Sequence, residues 1–162
     1  MGKIKQKITP YLWFDKEAED AAKFYTSIFK NSKVGNVSRY GKEGFEIHKM
    51  PEGVAMTVEF TLEGQKFVAL NGGPVFKFNE AISFLVDCET QGEVDYFWEK
   101  LSADPASEQC GWLKDKFGLS WQIIPTALSE FLAKDKLGRV MKAMLKMKKI
   151  IVADLKKAAE QG

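Results

Sequence analysis

Few residues of this chain could do chemistry, and their spacing narrows them further. His48 is the only histidine. It sits in a stretch read as a loop before Met50-Pro51, with no second histidine or cysteine at ligand spacing, which marks a surface histidine rather than a metal ligand. Cys88 and Cys110 form neither a metal knuckle nor a redox pair, so two free thiols in a reducing compartment are expected. Cys110 precedes Gly111-Trp112 with no histidine or helix start beside it to activate the thiol, and reads as a small packed side chain. Gln122 stands apart, because it interrupts the apolar run Trp121-Gln122-Ile123-Ile124. A buried amide left unpaired costs on the order of 1–3 kcal/mol, so Gln122 must face a ligand, a metal or polar neighbours.

The composition limits the chemistry. The chain has 162 residues, 45% of them hydrophobic and 28% charged, with a net charge of +2. These values describe a globular chain of one domain or two small modules with a shared core. The charge is too small to call for nucleic acid, and no apolar run approaches the ~20 residues of a membrane span, so neither partner is expected. The start, Met1 to Lys7, is basic, but Thr9 to Phe14 is too short for a secretory core, and a cytoplasmic location follows. No strand runs into a glycine-rich loop and a helix that would seat a nucleoside cofactor. No cofactor is expected.

The elements that position these residues repeat. "ITPYLWF" (8–14) is a short strand, Asp15 a candidate N-cap, and Ala18, Ala21, Ala22, Tyr25, Ile28 and Phe29 recur at helical spacing until Asn31-Ser32. "AISFLVD" (81–87) is again a strand, followed by the capping box Thr90 to Glu93 and the stripe Val94, Phe97, Trp98, Leu101. One constant offset superposes Thr9–Phe14 on Ala81–Val86, Tyr25 on Phe97 and Phe29 on Leu101. In the first half the strands Val34–Tyr40, Val54–Leu62 and Gln65–Asn71 follow, the last two joined by the hairpin turn Glu63-Gly64. In the second half, strands around Cys110–Lys114 and over Leu119–Ile124 flank the turn Asp115 to Gly118. Gly72-Gly73-Pro74 links the halves. The reading is an α+β chain of two βαβββ modules, residues 7–73 and 78–126 within a domain 1–126. A helical extension, 127–162, carries the stripe Val140, Met141, Met144, Leu145 and a final helix over Val152–Gln161.

Side chains alternate faces along a strand. Leu12, Phe14, Val58, Phe60, Val68, Leu70, Ile82, Phe84, Val86, Trp121 and Ile123 form one large apolar set, suited to lie under the helices. The opposite set is smaller and more polar: Thr9, Tyr11, Trp13, Thr57, Glu59, Phe67, Ala69, Asn71, Ala81, Ser83, Ser120 and Gln122. It suits the aromatic walls and few oriented polar groups of a ligand cavity. Glu59 is the one carboxylate of that set, a candidate general base if desolvated and otherwise a solvated strand residue. Tyr11, Trp13 and Trp112 either stack an aromatic ligand or fill the space. No cluster of Arg or Lys is evident on this face to hold an anion.

The opening "PYLWFDKEAEDAAKFYTSIF", the bridge "FVALNGGPVFKFNEAISFLVDC" and the closing "QCGWLKDKFGLSWQIIP" together resemble the PhnB-like family. That family belongs to the vicinal oxygen chelate superfamily, the fold of glyoxalase I, bleomycin-resistance proteins and extradiol dioxygenases. The resemblance spans nearly the whole chain from about Lys7. It implies curved mixed sheets around a cleft, and a homodimer. In metal-dependent members four strand positions supply His, Glu or Gln. Carried over, they fall near Thr9, Ala69, Ala81 and Gln122, a degenerate set in which one amide remains, where a divalent site wants at least three His or carboxylate ligands. No metal is therefore expected. The expectation is a small organic ligand lined by Tyr11, Trp13, Phe67, Ser83, Trp112 and Gln122. The alternatives are a metal-dependent lyase or dioxygenase-type enzyme and the ubiquinone-pathway methyltransferase by which family members are sometimes labelled.

Overall fold

The computed structural model describes residues 5–160; Met1 to Ile4 of the basic start, and Gln161 and Gly162 of the tail, lie outside them. The chain divides into two compact units, Met1–Lys77 and Phe78–Gly162.

The first unit begins with β1 (Tyr11–Phe14), α1 (Ala18–Ile28), β2 (Lys33–Arg39) and a one-turn helix α2 (Phe45–His48). It ends with β3 (Ala55–Leu62) and β4 (Gln65–Asn71). The four strands form one mixed sheet in the order β1-β4-β3-β2, with β1 parallel to β4 and the other pairs antiparallel. Glu63 and Gly64 both have positive φ, +48° and +78°, the twist that a two-residue hairpin between right-twisted strands requires.

That hairpin decides which residues share a face, and it corrects the parity of β4. It pairs Leu62 directly with Gln65, hence Phe60 with Phe67 and Val58 with Ala69. Directly paired residues point to the same face, so odd positions of β4 join even positions of β3. Phe67, Ala69 and Asn71 therefore lie on the helix side, with Leu12 and Phe14 of β1. Lys66, Val68 and Leu70 lie with Glu59, Thr57, Tyr11 and Trp13. The packing agrees: Tyr25 of α1 stacks on Phe60, which stacks on Phe67, at ring separations of 6.0 and 5.4 Å.

The cap of α1 also differs from expectation. Asp15 does not cap it, and the N-cap residue Glu17 makes no side-chain cap bond. The buried Asn71 does the work from the sheet: its Oδ1 accepts from Ala18 N at 2.9 Å, while its Nδ2 donates to the Ala55 carbonyl at 3.0 Å. Both ends of a buried amide are thereby satisfied.

The second unit runs β5 (Ser83–Cys88), α3 (Gln91–Leu101), a 3₁₀ turn (Pro105–Ser107), β6 (Trp112–Lys114) and β7 (Ser120–Pro125). The tail helices α4 (Ala127–Lys134), α5 (Arg139–Met144) and α6 (Val152–Glu160) follow. Its sheet, β5-β7-β6, repeats the first arrangement with one strand fewer. The cap forms as a variant of the expected box: Thr90 Oγ1 accepts from Glu93 N, and Glu93 Oε2 accepts from Glu89 N, one residue before the N-cap. Leu113, Trp121 and Ile123 are buried, with Val94 and Leu101 of α3. Asp115, which the sequence marks only as a turn residue, is buried and holds the β6–β7 turn. Its Oδ1 accepts from Phe117 N and Leu119 N, and its Oδ2 accepts from Trp121 Nε1 at 2.9 Å.

The tail packs within its own unit. Val140, Leu128, Ile150 and Leu155 form a cluster joined by Met144 and Ile124. The tail is pinned by Cys110 N to Met147 O and Gly111 N to Lys148 O, by Gln91 bonded to both Ile150 O and Val152 N, and by the Lys149–Asp95 ion pair at 2.6 Å. Of the expected stripe, Met141 and Leu145 stay exposed.

Candidate functional site on the strand faces opposite the helices

In the second unit, three of the expected site residues come together on one face of the sheet. Trp112 pairs with Gln122, and Gln122 pairs with Leu85 of β5. One row along the strands, Ser120 lies between Ser83 and Lys114. The Gln122 amide donates through Nε2 to Ser83 Oγ at 2.9 Å. Its Oε1 has no partner among the described residues, so one end of the amide is fixed and the other is presented. Gln122, Ser83 and Trp112 are half-buried and Leu85 is exposed. Ser120 Oγ is buried with no partner among the described residues, a polar floor beneath this face. Lys114 pairs with Glu80 at 2.5 Å, and that hydrogen bond is the main reason the Glu80 carboxyl is held below its ordinary value.

In the first unit the face carries Tyr11, Trp13, Thr57, Glu59, Thr61, Lys66, Val68 and Leu70. Tyr11 is 63% exposed. Trp13 is anchored: its Nε1 donates to Gly73 O at 2.9 Å, and its ring meets Phe76 edge-on at 4.9 Å. The ring lies where a Cβ at position 72 would be, so the linker's first glycine is a seat for Trp13. Glu59 is neither buried nor alone. Its Oε1 accepts from Lys66 Nζ at 2.8 Å and its Oε2 lies 3.5 Å from Asn36 Nδ2, with about a third of the side chain exposed. It stands as a partly exposed, ion-paired carboxylate.

The expected placements of Phe67, Ala69, Ala81 and Ile82 are not met. Phe67, 5% exposed, and Ala69 face α1. Ala81 and Ile82 precede β5 and are exposed, Ile82 by 66%. Thr9 is half-buried just before β1. In the first unit the β4 residues on the side of Tyr11 and Trp13 are Lys66, Val68 and Leu70, with Ala69 on the other side, and the carried-over set Thr9, Ala69, Ala81 and Gln122 offers one hydroxyl and one amide. These residues do not fit a divalent ion, and among the described residues no group of three or more His, Cys, Asp or Glu could hold one. His48 is engaged structurally. Its Nδ1 accepts from Met50 N and its Nε2 lies 3.1 Å from the Glu43 carbonyl, which places the proton on Nε2, and its ring packs on Tyr40. Cys88 is buried, and burial first, then Glu93 and Asp87, pushes its thiol up to about 12. The expectation of no evident basic cluster is also corrected in the first unit, where Lys33 and Lys66 share the face of Tyr11 and Trp13; in the second unit Lys114 stands on the face of Gln122.

A mixed sheet backed by one helix, built in βαβββ order and followed by a shortened copy, defines a protein of the vicinal oxygen chelate class. The model of the 3-demethylubiquinone-9 3-methyltransferase family matches residues 6–124. A PhnB protein from Bacillus cereus, labelled provisionally as such a methyltransferase, is 38% identical; the match covers 75% of this chain and 100% of that one, with a TM-score of 0.62. The chain belongs to this PhnB-like family. Protein PA1353 from Pseudomonas aeruginosa, 15% identical over 75% of this chain and 98% of that one, shares the fold at a TM-score of 0.53. No curated protein matches the chain. Among the described residues, no helix is long and apolar enough to cross a membrane.

Proposed function

We propose that this PhnB-like chain binds a small organic molecule against the strand faces opposite its helices, without a metal. The observation that carries the reading is the Gln122 amide, fixed at one end by Ser83 and open at the other, beside Trp112 and above the buried Ser120 hydroxyl. An apolar wall with a few oriented polar groups is what small-molecule sites commonly offer. The first unit's own open face carries Tyr11 and Trp13. Phe67 is not part of the proposal, because it packs beneath α1.

The reading includes a homodimer and a cytoplasmic location. Its support for the dimer is apolar surface that neither unit covers for itself: Tyr11, Val75 and Phe76 in the first, and Ile82, Leu85 and Leu145 in the second. Two unpaired cysteines favour a reducing compartment. Methyl transfer is not favoured for this chain, although the family description names it. Gly72-Gly73-Pro74 leads to another strand, and Gly72 serves as the seat of Trp13, so this glycine turn does not open a nucleoside-binding helix.

A thermal-shift screen of metabolites and antibiotics tests binding. Hits weakened by Gln122→Ala or Ser83→Ala support it, whereas turnover lost specifically in Glu59→Gln replaces it with an enzyme. Light scattering that finds a monodisperse monomer removes the dimer.

A further inference from the structure

We propose that the β2–β3–β4 end of the first unit's open face holds the single negative charge of an amphipathic organic acid bound to that face. This deepens the small-molecule reading and rests on it. Register places Lys33, Thr61 and Lys66 side by side across three strands, on the same face as Tyr11 and Trp13. A bulge in β2 between Val34 and Val37 brings Gly35 and Asn36 opposite Glu59. Lys33, Gly35, Asn36, Glu59, Thr61 and Lys66, with Phe60, line a depression of about 280 Å³. The two lysines stand two strands apart, roughly 9–10 Å at the backbone, so their flexible stems can converge on one anionic group above the Thr61 hydroxyl. Lys66 is committed to Glu59, while Lys33 and the Thr61 hydroxyl have no hydrogen-bond or ion-pair partner among the described residues.

The charge balance names the ligand class. Two lysines and one glutamate leave a single positive charge, which one carboxylate neutralises and a phosphate dianion would overshoot. The body of such a ligand has a place to lie. Tyr11 on β1, 63% exposed, lies beside the buried Val68, which stands two residues along β4 from Lys66, roughly 7 Å, so the Tyr11 ring is the open apolar surface nearest Lys66. An acid with an aromatic or aliphatic body spans both.

The test is a titration of the full ¹⁵N-labelled chain at fixed ionic strength with 3-phenylpropionate, its neutral amide and inorganic phosphate. Saturable amide shifts centred on Lys33, Thr61 and Lys66 are expected for the acid, with the neutral amide about 10-fold weaker or worse. Lys33→Gln weakens the acid about 3- to 10-fold, Glu59→Gln strengthens it by removing the opposing charge, and the remote Lys23→Gln on α1 leaves it unchanged. Absent or unsaturable shifts, tighter binding of phosphate, or acid binding indifferent to both Lys33→Gln and Glu59→Gln overturn the subsite. Equal binding of acid and amide on this same face overturns the charge subsite alone and leaves the broader binding reading standing.

Discussion

Gln122 on β7 and Ser83 on β5 are joined side chain to side chain, Nε2 to Oγ at 2.9 Å, across parallel strands whose register sets them one row apart. The bond orients an amide that would otherwise rotate freely on a half-exposed face. Ser83→Ala is expected to lower stability by no more than about 1 kcal/mol, because water reaches both groups. Its larger effect falls on ligand affinity, since the amide is no longer aimed. Parallel denaturant melts and ligand titrations of wild type and Ser83→Ala separate the two effects.

Asn71 ties the start of α1 to β3 through two hydrogen bonds in a fully buried setting. Asn71→Ala removes a helix cap and strands a buried carbonyl, with an expected loss of about 2–4 kcal/mol. Urea unfolding measures it. A loss below about 1 kcal/mol would mean that α1 is capped by other means.

Gly72→Ala sets a methyl group into the Trp13 ring. The ring must leave its hydrogen bond to Gly73 and its edge contact with Phe76, so the variant is destabilised and its tryptophan emission shifts. Because the clash is with one side chain, the double change Gly72→Ala with Trp13→Ala costs less than the sum of the two single changes. Additive costs would refute the seat.

The raised Cys88 thiol makes stability pH-dependent in a definite direction. A group that titrates near 9.0 when unfolded and near about 12 when folded stabilises fully below pH 9, and that contribution drains as the pH climbs from 9 toward 12. Melts between pH 8 and 10.5 are expected to show a steeper alkaline decline for wild type than for Cys88→Ala. In the folded protein a thiol reagent should modify Cys110 and reach Cys88 only on unfolding.

Periodicity and turn chemistry made most of the architecture readable. Ala18 to Ile28 lay at helical spacing, Thr90 and Glu93 formed a variant of their box, and Glu63-Gly64 formed the two-residue hairpin. The same hairpin carried the information that parity reading missed. A two-residue loop reverses odd and even from one strand to the next, so Phe67 belongs with Phe60 and Lys66 with Glu59. Reading β4 by number alone set Phe67, Ala69 and Asn71 on the open face and Val68 and Leu70 under the helix, the reverse of the register. The cap from Asn71 and the brace from Asp115 could not be read locally, since each bond depends on tertiary or turn geometry that spacing alone does not specify. Gln122 was legible because an amide inside an apolar strand is costly unless it has a task.

The central claim is that a ligand meets the free end of the Gln122 amide. Calorimetric titration of the strongest screening hit into wild type and Gln122→Ala, both shown to be folded by their melts, tests it most directly. Saturable binding to wild type is expected, with a loss of about 10-fold or more in affinity for Gln122→Ala, roughly the 1.4 kcal/mol of one well-made hydrogen bond. Equal affinity for the two proteins would contradict it.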